Sequence, residues 1–205
     1  MVQPMRLAPY TGFTESEVRE LCERYEMDFE DVRDWYDGYE VSDYVPVSKR
    51  RLFREGGYRG HRVSVYNPLA VVKAMQNGIV DNYWNKTETY EALAEFIRMD
   101  FDGLKDAVAL LMGGGRLRVD TSTYQNDMTS LHRRDDVLAL LIHLGYLGYE
   151  GDEIGGRIDS ERGSVFIPNK EILDEFRAST RSPEWDGPLR AFERSRELLE
   201  ATWAR

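Results

Sequence analysis

Trp35-Tyr36-Asp37-Gly38-Tyr39 marks the point where the chain changes its period. Upstream, apolar residues recur at helical spacing: Val18, Leu21, Cys22 and Tyr25, then Phe29, Val32, Trp35 and Tyr36. That spacing predicts amphipathic helices over residues 14–25 and 28–36. Thr14 is a good N-cap, with Glu17 at the N3 position of a capping box. Asp37-Gly38 stops the second helix, because glycine accepts the left-handed backbone that a helix end favours. Downstream, residues 39–65 break into short alternating pieces around Tyr39, Val41, Val45-Pro46-Val47, Val63 and Val65, which predicts a β-hairpin or a pair of short strands. Tyr66-Asn67-Pro68 reverses the switch, with Asn67 as N-cap and Pro68 at the first helical position. The helix it starts carries Leu69, Val71, Val72 and Met75 and closes at Asn77-Gly78.

Beyond this point helical spacing predicts helices over 89–99 and 101–112, the second stopped by Gly113-Gly114-Gly115. A strand follows at 116–120, then the most apolar helix, 137–144, ended by Gly145. Two strands at 146–149 and 164–167 flank a polar, Gly-rich turn, and Pro168-Asn169 opens a helix through Ile172, Leu173 and Phe176. A last helix is expected over 189–203. From Phe101 onward this is the element order of a winged helix-turn-helix, with residues 146–167 as the wing. The expected fold class is mainly α with small β elements, α+β. Residues 1–11 read as a flexible lead, 12–99 as a helical subdomain with a β-hairpin insertion near 39–65, 100–180 as a winged-helix-like subdomain, and 181–205 as a C-terminal helix.

The 205 residues are 41% hydrophobic, enough for one domain or two small ones. No run of eighteen apolar residues and no signal-like start are present, so a cytoplasmic chain without a membrane span is expected. The single cysteine, Cys22, has no partner for an internal disulfide and reads as a small apolar residue on a helix face. A net charge of −10 argues against broad attraction to nucleic acid or anionic lipid. Against that background Lys49, Arg50, Arg51, Arg54, Arg59 and Arg62 form one basic cluster, the best candidate for contact with a polyanion.

Motifs that carry chemistry are missing from the sequence. There is no Gly-x-x-x-x-Gly-Lys-Ser/Thr phosphate loop, no Gly-x-Ser-x-Gly nucleophile elbow and no well-placed nuclease carboxylate pattern. His61, His132 and His143 are widely separated, and His143, inside the apolar helix, reads as a hydrogen-bonded core histidine. Asp135-Asp136 opens that same helix, where acids meet its N-terminal dipole favourably. No catalytic, metal or cofactor-binding residue is expected.

Several blocks nevertheless occur together in order: Gly12-Phe13-Thr14-Glu15-Ser16-Glu17-Val18, Trp35-Tyr36-Asp37-Gly38-Tyr39, Tyr66-Asn67-Pro68 and Tyr83-Trp84. The later stretches are Leu138-Ala139-Leu140-Leu141-Ile142-His143-Leu144-Gly145-Tyr146-Leu147 and Ile167-Pro168-Asn169-Lys170-Glu171. In this combination, over roughly residues 12–178, the chain resembles the AAA-ATPase-like proteins. These are bacterial and archaeal predicted ATPases that often carry a C-terminal PD-(D/E)xK nuclease domain. The resemblance is to the region after the nucleotide-binding core, and it implies a helical lid followed by a winged-helix element. ATP and Mg²⁺ belong to the intact family, whose phosphate loop, Mg²⁺-binding acids and nuclease motif are absent from this sequence. A noncatalytic module is therefore expected, with an ATPase core or nuclease domain supplied in trans as its partner. Arg50, Arg51, Arg54, Arg133 and Arg134 are candidates for a lid arginine facing phosphates of such a core. Trp35, Tyr36, Asp37, Gly38, Tyr39, Tyr66, Asn67, Pro68 and Trp84 are expected to be packing anchors. The alternative is a nucleic-acid-binding winged helix, which wants a basic wing. The wing here carries Glu150, Asp152, Glu153, Asp159 and Glu161 against Arg157 and Arg162, the wrong sign for phosphate.

Overall fold

The computed structural model describes residues 11–44, 60–84, 89–99, 101, 103–122, 124, 131–154, 157–191 and 194–195. Along the first part of the chain run β1 (Phe13–Thr14), α1 (Glu15–Tyr25), α2 (Phe29–Tyr36), β2 (Tyr39–Tyr44), β3 (Gly60–Tyr66) and α3 (Pro68–Asn77). Then come α4 (Thr89–Arg98), α5 (Leu104–Met112), β4 (Leu117–Asp120), α6 (Arg134–His143), β5 (Gly148–Ile154), β6 (Arg157–Phe166) and α7 (Lys170–Ser179), with a short 3-10 turn at Pro183–Trp185. This is an α+β arrangement with two three-stranded antiparallel sheets, ordered β1-β3-β2 and β4-β6-β5. No helix among the described residues is long and apolar enough to cross a membrane.

Each sheet belongs to its own apolar core. Val18 and Cys22 from α1, Val32 and Tyr36 from α2, and Ala70, Val71, Ala74 and Met75 from α3 bury one side of the first half together with Tyr66 and Tyr83. The second core gathers Leu93, Phe96 and Ile97 of α4 with Leu104, Val108 and Leu111 of α5. It is completed by Val137, Leu138, Leu140 and Leu141 of α6, by Val119 and Val165 from the sheet, and by Ile172, Phe176 and Trp185. Each fully buried Leu or Phe of this kind contributes about 1.5–3 kcal/mol relative to exposure.

The helix ends follow the side chains that cap them. Glu17 accepts from the backbone N–H of Thr14 at 2.8 Å and from its hydroxyl at 2.8 Å, and these hydrogen bonds hold its carboxyl below the usual range. Asn67 Oδ1 accepts from Leu69 and Ala70, with Pro68 at the first helical position. Asn169 caps α7 through Ile172 N at 3.0 Å. The hairpin expectation holds: β2 and β3 pair antiparallel from Tyr39↔Val65 to Tyr44↔Gly60.

Other expectations need revision. The added strand β1 is two residues long, too short to show alternation, and pairs Phe13 with Tyr66. The two strands expected at 146–149 and 164–167 run further into the turn between them than the apolar pattern implies, because backbone pairing continues through polar residues to Ile154 and Arg157. The helix expected from residue 101 starts at Leu104, since Gly103 is its N-cap. His143 is exposed, with its ring 5.1 Å from that of Tyr124, and is not a core histidine: it is the last residue of α6, beyond the stretch that the neighbouring elements enclose. Residues 1–10, the hairpin tip at 45–59 and the end of the expected last helix lie outside the described residues. Residues 186–191 are helical.

Gly38 shows how tightly the halves meet. Its φ is +116°, and a Cβ built there would lie 2.1 Å from the carbonyl oxygen of Pro168. Gly78, at φ +64°, has nothing within 4 Å of the same point. Gly38→Ala is expected to cost about 3 kcal/mol or more, from backbone strain plus forced separation. Gly78→Ala should cost about 1 kcal/mol, from strain alone. Urea denaturation of the two variants measures the difference, and equal losses would mean that the halves do not meet at Gly38.

Candidate functional site

The residues singled out from the sequence converge on the seam between the two cores. The register Tyr39↔Val65 sets the end of α2 beside the end of β3, so two blocks nearly thirty positions apart become neighbours. Asn67 N donates to Tyr36 O at 3.4 Å across that junction. Tyr36 is fully buried; its hydroxyl donates to Asp81 O at 2.8 Å and accepts from Asp81 N at 3.0 Å. Asp37 Oδ1 accepts from Gly38 N at 2.7 Å and from the Ser64 hydroxyl. Tyr39 reaches the other half, donating to Gly145 O at 2.7 Å. Burial pushes the phenols of Tyr36, Tyr39 and Tyr66 upward, so none of them is an available base.

From the opposite side come two acids on α7 that the sequence reading did not single out. Glu171 and Glu175 are each 0% exposed. Glu171 Oε1 accepts from Tyr83 N at 2.8 Å and Trp84 N at 3.0 Å. Asn82 Nδ2 donates to Glu175 Oε1 at 2.6 Å and to the Glu171 carbonyl at 3.3 Å. Burial pushes the Glu171 carboxyl up to about 7, with the charges of Glu175 and Asp81 adding to it and the two backbone N–H groups opposing it. Burial raises Glu175 as well. The Trp84 ring meets Tyr146 edge-on at 5.7 Å and covers Gly145. An exposed ion pair, Lys170 to Asp34 at 3.0 Å, joins α7 to α2 at the rim.

The arrangement is a brace. The Tyr36 and Tyr39 hydroxyls, Asp37 Oδ1 and Asn67 Oδ1 are engaged within the chain, and so is one oxygen of each buried acid. Among the described residues no group of three or more His, Cys, Asp or Glu could hold a metal ion.

Lys49, Arg50, Arg51, Arg54 and Arg59 lie outside the described residues, and Arg62 sits on β3 opposite Ser42. Arg134 pairs with Asp135 at 2.8 Å and Arg133 with Asp136 at 3.9 Å, both at the start of α6. On the second sheet Arg116 meets Glu150 at 2.5 Å, Arg118 meets Asp152, and Arg162 meets Asp120 at 3.8 Å.

No protein-family model, curated protein or solved structure matches the chain.

Glu171 and Glu175 left a faint trace in the sequence. They stand four apart, each immediately before an apolar residue, Ile172 and Phe176, at the same spacing. A helix with both a polar and an apolar pair in that relation can be buried on two sides. Acids in a first turn are more often dipole partners in water, which hides the signal.

Tyr39→Phe removes only the hydroxyl that spans the seam. The expected loss is about 1–2 kcal/mol, because the Gly145 carbonyl loses its donor. Chemical denaturation checks it; an unchanged midpoint would mean that the contact does not contribute.

Proposed function

We propose that this chain is a noncatalytic interaction or regulatory module, corresponding to the lid and winged-helix portion of an AAA-ATPase-like protein, without ATPase activity of its own. The observation that carries the reading is the use made of the aromatic blocks. Trp35-Tyr36-Asp37-Gly38-Tyr39 and Tyr66-Asn67-Pro68 meet through the β2–β3 register and spend polar groups within the chain: Tyr36 on Asp81, Asp37 on Gly38 and Ser64, Asn67 on the start of α3, and Tyr39 on Gly145 of the other half. Residues used in this way hold a shape and leave no poised nucleophile or base.

The second half supports the winged-helix part of the reading. The sheet order β4-β6-β5 is the one expected of a winged helix, with β5 and β6 in the place of the wing and, among the described residues, one helix, α6, between β4 and β5. The helix that would serve as reader, α6, has Asp136, Val137, Leu138, Ala139, Leu140 and Leu141 buried. A helix covered over that much of its length has little side-chain surface to offer a DNA groove. The neighbouring arginines are matched with acids, which weakens any phosphate contact. The module reading therefore stands ahead of the nucleic-acid reading, with an ATPase core or nuclease domain in trans as the partner class.

Purified protein incubated with ATP and Mg²⁺ is expected to release phosphate no faster than a buffer blank. Turnover that follows the protein through successive columns would overturn the proposal. Titration with short duplex DNA is expected to give no salt-sensitive binding, whereas steep loss of an observed complex with added salt would support the nucleic-acid reading instead. Co-purification with a phosphate-loop protein encoded beside it is the positive outcome.

A further inference from the structure

Helix α7 places Glu171, Glu175 and Ser179 at successive four-residue steps, and all three are buried. The two carboxyl groups face the connection that carries the chain from α3 to α4, through Asn82, Tyr83 and Trp84. Each receives donors on one oxygen only. Oε2 of Glu171 and Oε2 of Glu175 are buried and accept no hydrogen bond from the described residues. A buried carboxylate left half satisfied is costly, and two on one helix face are costlier.

Among the described residues the groups around Glu171 offer no compensating positive charge. Glu175 stands on its own helix, with Asp174 beside Glu175; Asp81 faces it from the connection, Tyr36 from α2 and Tyr39 from β2, with Tyr146 beyond Tyr39. Lys170, the nearest cation in sequence, is turned to Asp34 at the exposed rim. Among the described residues the titratable groups facing the pair are acids and neutral phenols, and the donors are the Asn82 amide and the Tyr83 and Trp84 N–H groups. Two neighbouring carboxylates in such a site resist double ionisation.

We propose that docking of the 79–84 connection onto α7 takes up a proton, held by the Glu171–Glu175 pair on Glu171, so that the joint between the two cores is a pH-responsive hinge. A proton fits the donor set better than a metal ion. Hard cations want about six oxygen ligands, whereas Asn82 presents its N–H to this pair, and no third acid, His or Cys joins a metal-holding group among the described residues.

The direction of the response follows from linkage. Glu171 sits at about 7 in the docked state against an ordinary 4.5. The docked state therefore binds more protons between these values, and docking is strongest below the lower one. It weakens as pH rises through the upper one, by a factor on the order of a hundredfold in the open-to-docked ratio. This inference is independent of the family reading.

The test uses the full chain with ¹³C-labelled glutamate carboxyls, titrated by NMR from about pH 4 to about pH 9. Amide exchange at Tyr83 and Trp84, corrected for intrinsic base catalysis, is followed alongside. One glutamate is expected to titrate near neutrality and to vanish in Glu171→Gln. Protection of the two amides should fall at least about tenfold from mildly acidic to mildly alkaline pH in the wild type, and stay level in Glu171→Gln. If Glu171→Gln does not fold, the wild-type titration decides alone. Ordinary acidic titration of every glutamate would overturn the proposal. So would an unaltered pH response in a folded Glu171→Gln, or recovery of protection at alkaline pH on adding Mg²⁺ or Ca²⁺.

Discussion

The backbone N–H groups of Tyr83 and Trp84 point at one oxygen of Glu171, inside a seam from which solvent is excluded. That contact fixes where the connection between α3 and α4 crosses α7, and with it the position of one core against the other. An amide in such a place must find an acceptor, and the acid supplies two bonds with one atom. Once the crossing is fixed, Trp84 lies over Gly145 and against Tyr146, and Asn82 reaches the next turn of α7. The approach of Gly38 to the Pro168 carbonyl completes the same seam from the other direction.

The first sheet gives the brace its reach. By pairing β2 with β3 from Tyr39 to Tyr44, it brings a helix end and a helix start together although a long stretch of chain separates them. Tyr36 then bonds to both backbone groups of Asp81, just ahead of the crossing over α7. A short route of hydrogen bonds thus runs from α2 through the connection to α7.

Much of this was legible in the sequence, for identifiable reasons. The changes of period at Asp37-Gly38 and Tyr66-Asn67-Pro68 rest on local chemistry, capping and backbone geometry, and those elements stand as expected. The alternation of Leu117, Arg118 and Val119 likewise marks β4. What could not be read was contact between distant residues. Nothing local in Pro168 announces that its carbonyl lies against Gly38, and only the four-residue spacing of Glu171 and Glu175 hints at their burial. The full length of β5 and β6 was hidden because hydrogen bonding of the main chain is indifferent to side-chain polarity.

The charged face of the second sheet has a meaning of its own. β4 and β5 are the outer strands and do not hydrogen-bond to each other, yet Arg116 reaches Glu150 and Arg118 reaches Asp152. Ser164 of β6 lies in register between Arg118 and Glu150, small enough for long side chains to meet above it. Charges on both border strands also make each border a poor template for a further strand. Both edges of this three-stranded sheet thus carry charge where a second copy of the chain would otherwise add a strand.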